Sequence, residues 1–562
     1  MHHQSSAVVE TVSADVVIIG AGVVGGLAAC ALARHGHSVI LLDSGPRIDR
    51  VEALERFRAS PSKGANAPYE NPWYAPQPDD TDLNNYYVQA GPVAFQGLYI
   101  RGVGGSSWHW TGHAERHYPS DFRMKSTYGV GVDWPITYND VLPYYLRAEQ
   151  EWGVSGDASD YIGPNRHGET FPLPKVPMSY SDLQMGAAAA TVDFGYESGG
   201  VVFPPKKLEY GPYPHSRNSV PYDGRPQCCG NASCRFLCPI AAKYDASVHV
   251  TKAELLGVRV LDKRVVTRVE VGSDGMVSGM RYKHPDGWEG RAIGRRYILA
   301  AHAIEAPKLL LNSKGERTPN GVANTSDMVG RNLIGLIDVN SQALSPTPTY
   351  PYRGPVSATG GLKSLRDGEF RRVHGAIATN FVNGGWNATL GPAQRAQDLI
   401  SKGVFGEELN RRLRHDTERE VVLASMVDVL PNPENRIVPD ETMRDALGIP
   451  RPKVSFRWDD YTERGIQVAL KMHAEVFDAM KATDRTTIPP EVETAIIAGT
   501  TVMGNDPRTS VVDASCCAHD HPNLYIIGTG VYPTTGIVSP SLTAAALALR
   551  AADQIHATFN QG

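Results

Sequence analysis

Three groups of residues in this chain have types and spacings that can do chemistry. Cys228-Cys229-x4-Cys234-x3-Cys238-Pro239 gathers four of the seven cysteines into one short segment. Thiolates are soft ligands that suit iron–sulfur clusters or zinc, and the terminal x3-Cys-Pro has a ferredoxin-like form. Zinc usually takes two separated CxxC-like pairs or added histidines, a pattern this segment lacks. Neighbouring side chains diverge, so three of the four cysteines are expected to share one centre. Gly20-Ala-Gly-Val-Val-Gly25 is a GxGxxG turn, in which Gly20 permits the tight turn, Gly22 lets the backbone approach a pyrophosphate, and Gly25 allows close helix–strand packing. The third group is histidine-rich: His109, then His113 and His117 around Glu115, and His302 further on.

The elements that must position these groups can be read around them. Ala14–Gly20 (ADVVIIG) is a continuous β-branched run of the kind buried in a parallel sheet, and LAACALARHG after the glycines has helical apolar spacing. Ser38–Asp43 (SVILLD) is a second strand ending in an acid placed for an adenosine ribose. The helix N-terminus, including Val23 and Val24, offers unpaired N–H groups to phosphates. Asp43, followed by Ser44, disfavours a 2′-phosphate, so FAD or NAD is expected over NADP, and the N-terminal position in a long chain leans toward FAD.

Composition excludes other classes. The chain has 562 residues and a formal net charge of −5, too little basic character for a nucleic-acid surface. No apolar run approaches the roughly 20 residues of a membrane span, and Met1–Ala14 has no apolar segment that would serve as a secretory signal. With Gly 55 and Pro 40, a loop-rich scaffold is expected. Cys516-Cys517 read as loop residues, a vicinal disulfide being the alternative.

Three further segments resemble the glucose–methanol–choline (GMC) flavoprotein oxidoreductases. Gly102-Val-Gly-Gly-Ser-Ser-Trp-His-Trp110 is similar to that family's flavin loop, Tyr297–Ser313 (YILAAHAIEAPKLLLNS) to its second signature, and HPNLYIIGTGVYPTTGIVSPSLTAAALALRAADQI to the closing strand and helix over the flavin ring. The resemblance implies an α/β fold: a Rossmann-like FAD-binding domain (1–130, 221–335 with the cysteine segment, and 496–562) interleaved with an α+β substrate domain (131–220 and 336–495). It also implies FAD contacts from Gly104, Gly105, Ser106, His109 and Trp110, from the Val266 strand and Ala300, and from Gly530, Ser541 and Leu542. In pyranose oxidases, which have a similar loop, a histidine near here is the covalent flavin attachment point; His109 is aligned with it, and a non-covalent contact is the alternative.

KSTYGVGVDWP, NSVPYDGRPQCCGN, NGVANTSDMVGRN and MGNDPRTSVVD narrow the resemblance to the catalytic subunits of bacterial FAD-dependent glucose and fructose dehydrogenases. That resemblance implies a 3Fe–4S cluster on Cys228, Cys234 and Cys238 with Cys229 a bystander, a small escort subunit, a cytochrome c acceptor, and a place at the periplasmic face of the inner membrane. A cytoplasmic enzyme is the alternative. A flavin accepts a hydride and releases electrons singly, so the pairing with a cluster points to a dehydrogenase wired to a partner.

The pattern breaks at the catalytic pair. The family's histidine, shortly before G-x-T-x-M-G, is Ile496 here, and the closing-segment asparagine is Ser539; Gly335-Leu336 stands where relatives tend to have Asp-His. Isoleucine cannot accept the proton that must leave the hydroxyl as hydride leaves carbon. His113 is the preferred substitute base, with His117 and His302 the other candidates; solvent-facing loop positions or packing roles are the alternative for the histidines, and Ser539, a poor base unactivated, is placed to position a substrate hydroxyl. The leading expectation is oxidation of a hydroxyl of a small-molecule carbohydrate or polyol. A GMC-fold enzyme of another reaction type (desaturation at carbon or elimination) and a non-catalytic electron-transfer subunit are the other readings.

Overall fold

The computed structural model describes residues 8–559 except 62, 80–81, 232, 356–357 and 385–391; the residues Met1–Ala7 of the leader reading lie outside it. Its first sheet is built on the strand Val8–Ile19, whose Val16, Val17 and Ile18 are fully buried. That strand pairs in parallel with Val39–Leu42 on one side and Glu289–Leu299 on the other, in register Val17↔Ile40 and Val17↔Tyr297. Arg259–Leu261 and Leu524–Ile526 extend the parallel set, and Val277–Lys283 and Val265–Val271 add an antiparallel pair. The helix Val23–Arg34 buries Gly25 through Leu32 and packs against the closing helix Ser541–Phe559, an apolar contact that the alanine-rich sequences of both allow.

The second sheet is antiparallel. Ile334–Leu344 lies at its centre between Thr483–Thr487 and Glu420–Val427, followed outward by Ile377–Phe381, Gly360–Leu362 and Tyr210–Pro212, while Glu491–Ala498 pairs with the first part of the central strand. Alternation decides its two faces. Val339, Ser341, Leu423 and Ser425 are buried towards the helix Asp460–Met480, whose Met472, His473 and Val476 cover them. His473 donates and accepts between Ser341 Oγ (2.9 Å) and Ser425 Oγ (2.7 Å), which ties helix to sheet. The opposite face carries Asp338, Asn340, Asn380, Ala424 and Met426 into a cavity.

Two local expectations are refined. The charged stretch 408–422 is a helix only over Gly406–Thr417; Val421 and Val422 belong to a strand, because pairing with Ala343 and Gln342 satisfies their backbone and buries Val421 completely. The stretch 251–271 splits into the end of a helix (Ser247–Leu255) and two strands. No helix among the described residues is long and apolar enough to cross a membrane.

Candidate active site

A cavity of 690 Å3 runs from the glycine turn of the first sheet to the open face of the second. At the first end, Gly20 adopts φ +102° with its α-carbon against Ala300, where a Cβ would meet the Ala300 carbonyl oxygen at 2.5 Å. A Cβ on Gly25 would fall 1.9 Å from the Gly20 oxygen, so both glycines are required by packing. Gly22 differs: a Cβ there would meet nothing within 4 Å and would project into open space. The helix it caps has no side-chain cap and no acid in its first turn, which leaves its amides for an anion. Asp43 Oδ2 accepts the Ala21 amide (2.8 Å) and Oδ1 the Gly45 amide (2.9 Å), shaping the turn while each oxygen keeps a lone pair. Burial pushes this carboxyl up from its ordinary pKa, against the pull of those two amides.

The Gly102–Trp110 loop closes on the first glycine turn. Gly104 donates its amide to Ala21 O (2.9 Å), and a Cβ on Gly105 would lie 3.2 Å from the Gly22 α-carbon. Gly104 has φ +103°, and Trp108 occupies the space a side chain there would need. Gly102, Gly105, Ser106, His109 and Trp110 line the cavity, as do Val23, Val24, Ser44, Val266, Ala300 and Ser541 from the other elements. Gly25, Gly104, Gly530 and Leu542 stand behind the lining, where they shape it without facing it. His109 Nδ1 is buried without a hydrogen-bond partner, and burial lowers the imidazole to about 3. An open cradle at Gly22, free helix amides and an orphaned ring nitrogen together fit a dinucleotide whose ring system reaches His109.

At the second end, the residues expected to handle a proton are unevenly suited to it. His113 lines the cavity, stacks on Tyr213 at 4.4 Å and donates from Nε2 to Ala358 O at 3.0 Å. Burial lowers it to about 3, so its neutral ring is a weak base. His117 is a packing residue, bonded to Thr543 Oγ1 and Thr535 O, both at 2.6 Å, and away from the cavity. His302 stacks on Tyr99 at 4.4 Å and is lowered to about 4 by burial. Ser539 lines the cavity and donates its backbone amide to Glu115 Oε2 (3.3 Å), while Glu115 Oε1 pairs with the buried Arg366 (2.8 Å). Ile496 also lines the cavity, packed in a small apolar cluster with Leu336, Ala378 and Ile537.

Sequence reasoning missed the charged groups at this end. Asp338, Glu493 and Arg235 all line the cavity. Burial is the main cause that pushes the Asp338 carboxyl well above the carboxylate range; the negative charge of Glu493 adds to it and Arg235 opposes it. Arg235 sits on the cysteine segment and carries its charge to both acids and to His109 and His113.

On that segment Cys234 and Cys238 are buried, Cys228 is half-buried and Cys229 is exposed. The Lys243 amide donates to Cys238 Sγ (3.4 Å), and its ammonium reaches the carbonyls of Trp108 (3.2 Å) and Trp110 (2.5 Å) on either side of His109. Cys234 and Cys238 beside the buried Lys243, with Cys228 on the same segment, are soft donors of the kind that suit an iron–sulfur cluster, although among the described residues no group of three or more His, Cys, Asp or Glu side chains is already arranged around a metal position. No two of the seven cysteines, Cys516 and Cys517 included, are joined in a disulfide.

Residues 431–548 match the family model described as GMC oxidoreductase, and residues 16–83 match one described as ketopantoate reductase PanE/ApbA, which covers the glycine turn. The chain is 36% identical to the fructose dehydrogenase large subunit of Gluconobacter japonicus, over 98% of this chain and 99% of that one. The protein belongs to the GMC oxidoreductase family. A 2-methyl-1,2-propanediol dehydrogenase of Mycolicibacterium austroafricanum is 26% identical over 97% of this chain and 96% of its own length. Among solved structures, pyridoxine 4-oxidase from Mesorbium loti covers 97% of this chain and 99% of its own at a TM-score of 0.62 and 16% identity, a likeness of fold.

As a GMC oxidoreductase the protein is an FAD-dependent dehydrogenase acting on CH–OH donors, and the cradle at Gly22, Asp43 and His109 has the chemistry to hold FAD. Within that family frame, Ile496 and Ser539 remove the usual proton-handling side chains from a cavity that keeps two carboxyls and a guanidinium. The only signal in the sequence for those acids was the presence of Glu493 three positions before Ile496.

Proposed function

We propose that this protein is a dehydrogenase that oxidises a hydroxyl of a sugar, glycoside or polyol and passes the electrons through a 3Fe–4S cluster to a cytochrome c or another acceptor. The observation that carries the reading is the continuity of the cavity: the flavin cradle opens directly onto a floor with Asn340, Asn380 and Asp338 interspersed with Ala424, Met426 and Val422. Such a mixed surface, with amides to bond hydroxyls and methyl groups to pack against C–H faces, suits a polyhydroxylated ligand. Full-length likeness to a fructose dehydrogenase large subunit supports the same substrate class.

Gly22 with the helix amides would hold the pyrophosphate, Asp43 the ribose, the Val266 strand the adenine, and Gly105, Ser106, His109 and Ser541 the flavin end. Bound FAD supplies a two-electron acceptor that can pass electrons on singly. Tyr213 donates to Asn380 Oδ1 (2.6 Å), which fixes that amide at the cavity wall. Cys228, Cys234 and Cys238 would hold the cluster, and Lys243 links their segment to the flavin loop. The relative's designation as a large subunit supports an assembly with further subunits; we propose that these are a small escort subunit and a cytochrome c subunit, at the periplasmic face of the inner membrane.

The test is an anaerobic visible spectrum of the holoenzyme before and after addition of D-fructose, D-glucose, sorbitol and methyl glycosides. Bleaching of the flavin bands by one of them is the expected result. Flavin and cluster present with no member of the panel reducing them overturns the reading.

A further inference from the structure

We infer that Glu493, with Asp338 and Arg235 lining the same cavity, is the proton acceptor for alcohol oxidation in this chain. The inference rests on the substrate reading above and supplies the group that Ile496 and Ser539 lack.

The argument begins with a bulge. Strand 491–498 pairs with strand 334–344 as Ile337↔Val492 on one side of an irregularity and Gly335↔Ile497 on the other, so Leu336 alone stands opposite residues 493–496. The extra backbone is pushed out of the sheet on the cavity side and pinned there by the Leu98 amide, which donates to Thr494 O at 2.6 Å. Bulges re-aim side chains at sites of chemistry. Here Glu493 folds back over its own bulge: Oε2 accepts the amides of Ala495 (2.6 Å) and Ile496 (2.5 Å). The carboxylate is therefore delivered to the backbone of Ile496 itself, in the cavity, with Oε1 left for a bond from a ligand.

The neighbouring charges set its protonation. Asp338 faces the same space from the central strand, Glu491 pairs across from it and takes the Gln96 amide (3.1 Å), and Arg235 reaches in from the cysteine segment; His109, His113 and Glu115 complete the titratable lining nearby. Asp338 and Glu493 feel each other's charge and that of Arg235, with Glu491 adding to the charge on Asp338, and like charges at such a half-buried site resist joint ionisation. Burial raises both carboxyls: Asp338 well above the carboxylate range, with the charges of Glu493 and Glu491 adding to it, and Glu493 against the pull of the two amides on its carboxylate. Because those amides bond the charged form, Glu493 is assigned the ionised role and Asp338 the proton. Bound FAD would accept the carbinol hydrogen as hydride; this chain's part is at the hydroxyl, where the O–H bond breaks, its proton passes to Glu493 and its electron pair closes the C=O bond, and the Glu493 carboxyl then returns the proton to water through the cavity.

The test uses holoenzyme and three variants, Glu493→Gln, Glu493→Asp and Asp338→Asn, with flavin absorbance and thermal unfolding as controls for folding. Flavin reduction by the panel sugar that bleaches the wild type is followed by anaerobic stopped flow across pH. Loss of a general base is expected to slow reduction about 10²–10³-fold in Glu493→Gln and to abolish its rise with pH, with partial rescue in Glu493→Asp. A second readout needs no turnover: infrared titration should show a protonated-carboxyl band at neutral pH that disappears in Asp338→Asn and titrates at lower pH in Glu493→Gln, because the repelling charge is gone. Wild-type protein reduced by sugar, with Glu493→Gln unchanged in rate and pH profile, overturns this assignment alone. Wild-type protein reduced by no member of the panel overturns the substrate reading and this assignment with it. Should Glu493→Gln fail to fold, Glu493→Asp kinetics and the Asp338→Asn infrared band decide, and an unaltered band overturns the shared proton.

Discussion

Glu493 Oε2 lies 2.5 Å from the backbone nitrogen of Ile496, so the acid and the residue at the family's histidine position are joined by the bulge they share. That bond separates a structural from a chemical role. Glu493→Ala removes the charged acceptor of the Ala495 and Ile496 amides and is expected to cost about 1–3 kcal/mol of stability. Glu493→Gln keeps a carbonyl oxygen in place and is expected to unfold within about 1 kcal/mol of wild type. Thermal unfolding of the two variants checks the contrast; equal losses would show that the carboxylate charge itself supports the bulge.

The two glycines of the first turn are expected to fail in different ways. A Cβ at residue 25 would sit 1.9 Å from the Gly20 oxygen, so Gly25→Ala should destabilise the fold by about 3 kcal/mol. Gly22→Val has open space to enter and should leave the fold standing while most of the flavin is lost, because the side chain fills the cradle. Flavin content measured beside the unfolding temperature distinguishes them.

Cysteine burial predicts which thiols matter. Cys234→Ser should remove the electron paramagnetic resonance signal and the iron of the proposed cluster while FAD absorbance persists. Cys229→Ser should change neither, since its side chain is exposed. Iron retained at wild-type level in Cys234→Ser would remove that residue from the ligand set.

Buried neutral histidines make stability fall in acid. His473, enclosed between Ser341 and Ser425, is lowered by burial to about 3 from 6.5. Between those values the unfolded chain binds a proton that the folded chain does not, so stability is lost as pH falls below 6.5, by about 1.4 kcal/mol per unit for this residue. The unfolding temperature should therefore drop from pH 7 to pH 5, and more gently in His473→Gln. An identical slope in that variant would assign the acid sensitivity to other groups.

The dinucleotide cradle was legible in the sequence because its requirements are local. Gly20, Gly22 and Gly25 answer to steric limits within one turn, and Asp43 closes the same βαβ unit. The Gly102–Trp110 loop was legible through its resemblance to the family's flavin loop, whereas the filling of the space beside Gly104 by Trp108 came from the structure. The roles of the histidines were less so, because Tyr213, Thr543 and Tyr99, which pair with His113, His117 and His302, come from distant parts of the chain and decide which rings face the cavity.

The sequence by itself determined the family, the flavin cradle, the cysteine segment and the loss of the usual pair at Ile496 and Ser539, since each depends on residue identity over a short span. Only the tertiary structure decided what occupies that loss. Asp338, Glu493 and Arg235 lie in three separate segments, and nothing in their local spacing links them. They meet because a bulge in one strand, the alternation of its neighbour and the turn of the cysteine segment aim them into the same buried space, where burial and mutual repulsion give them a proton chemistry that none has alone.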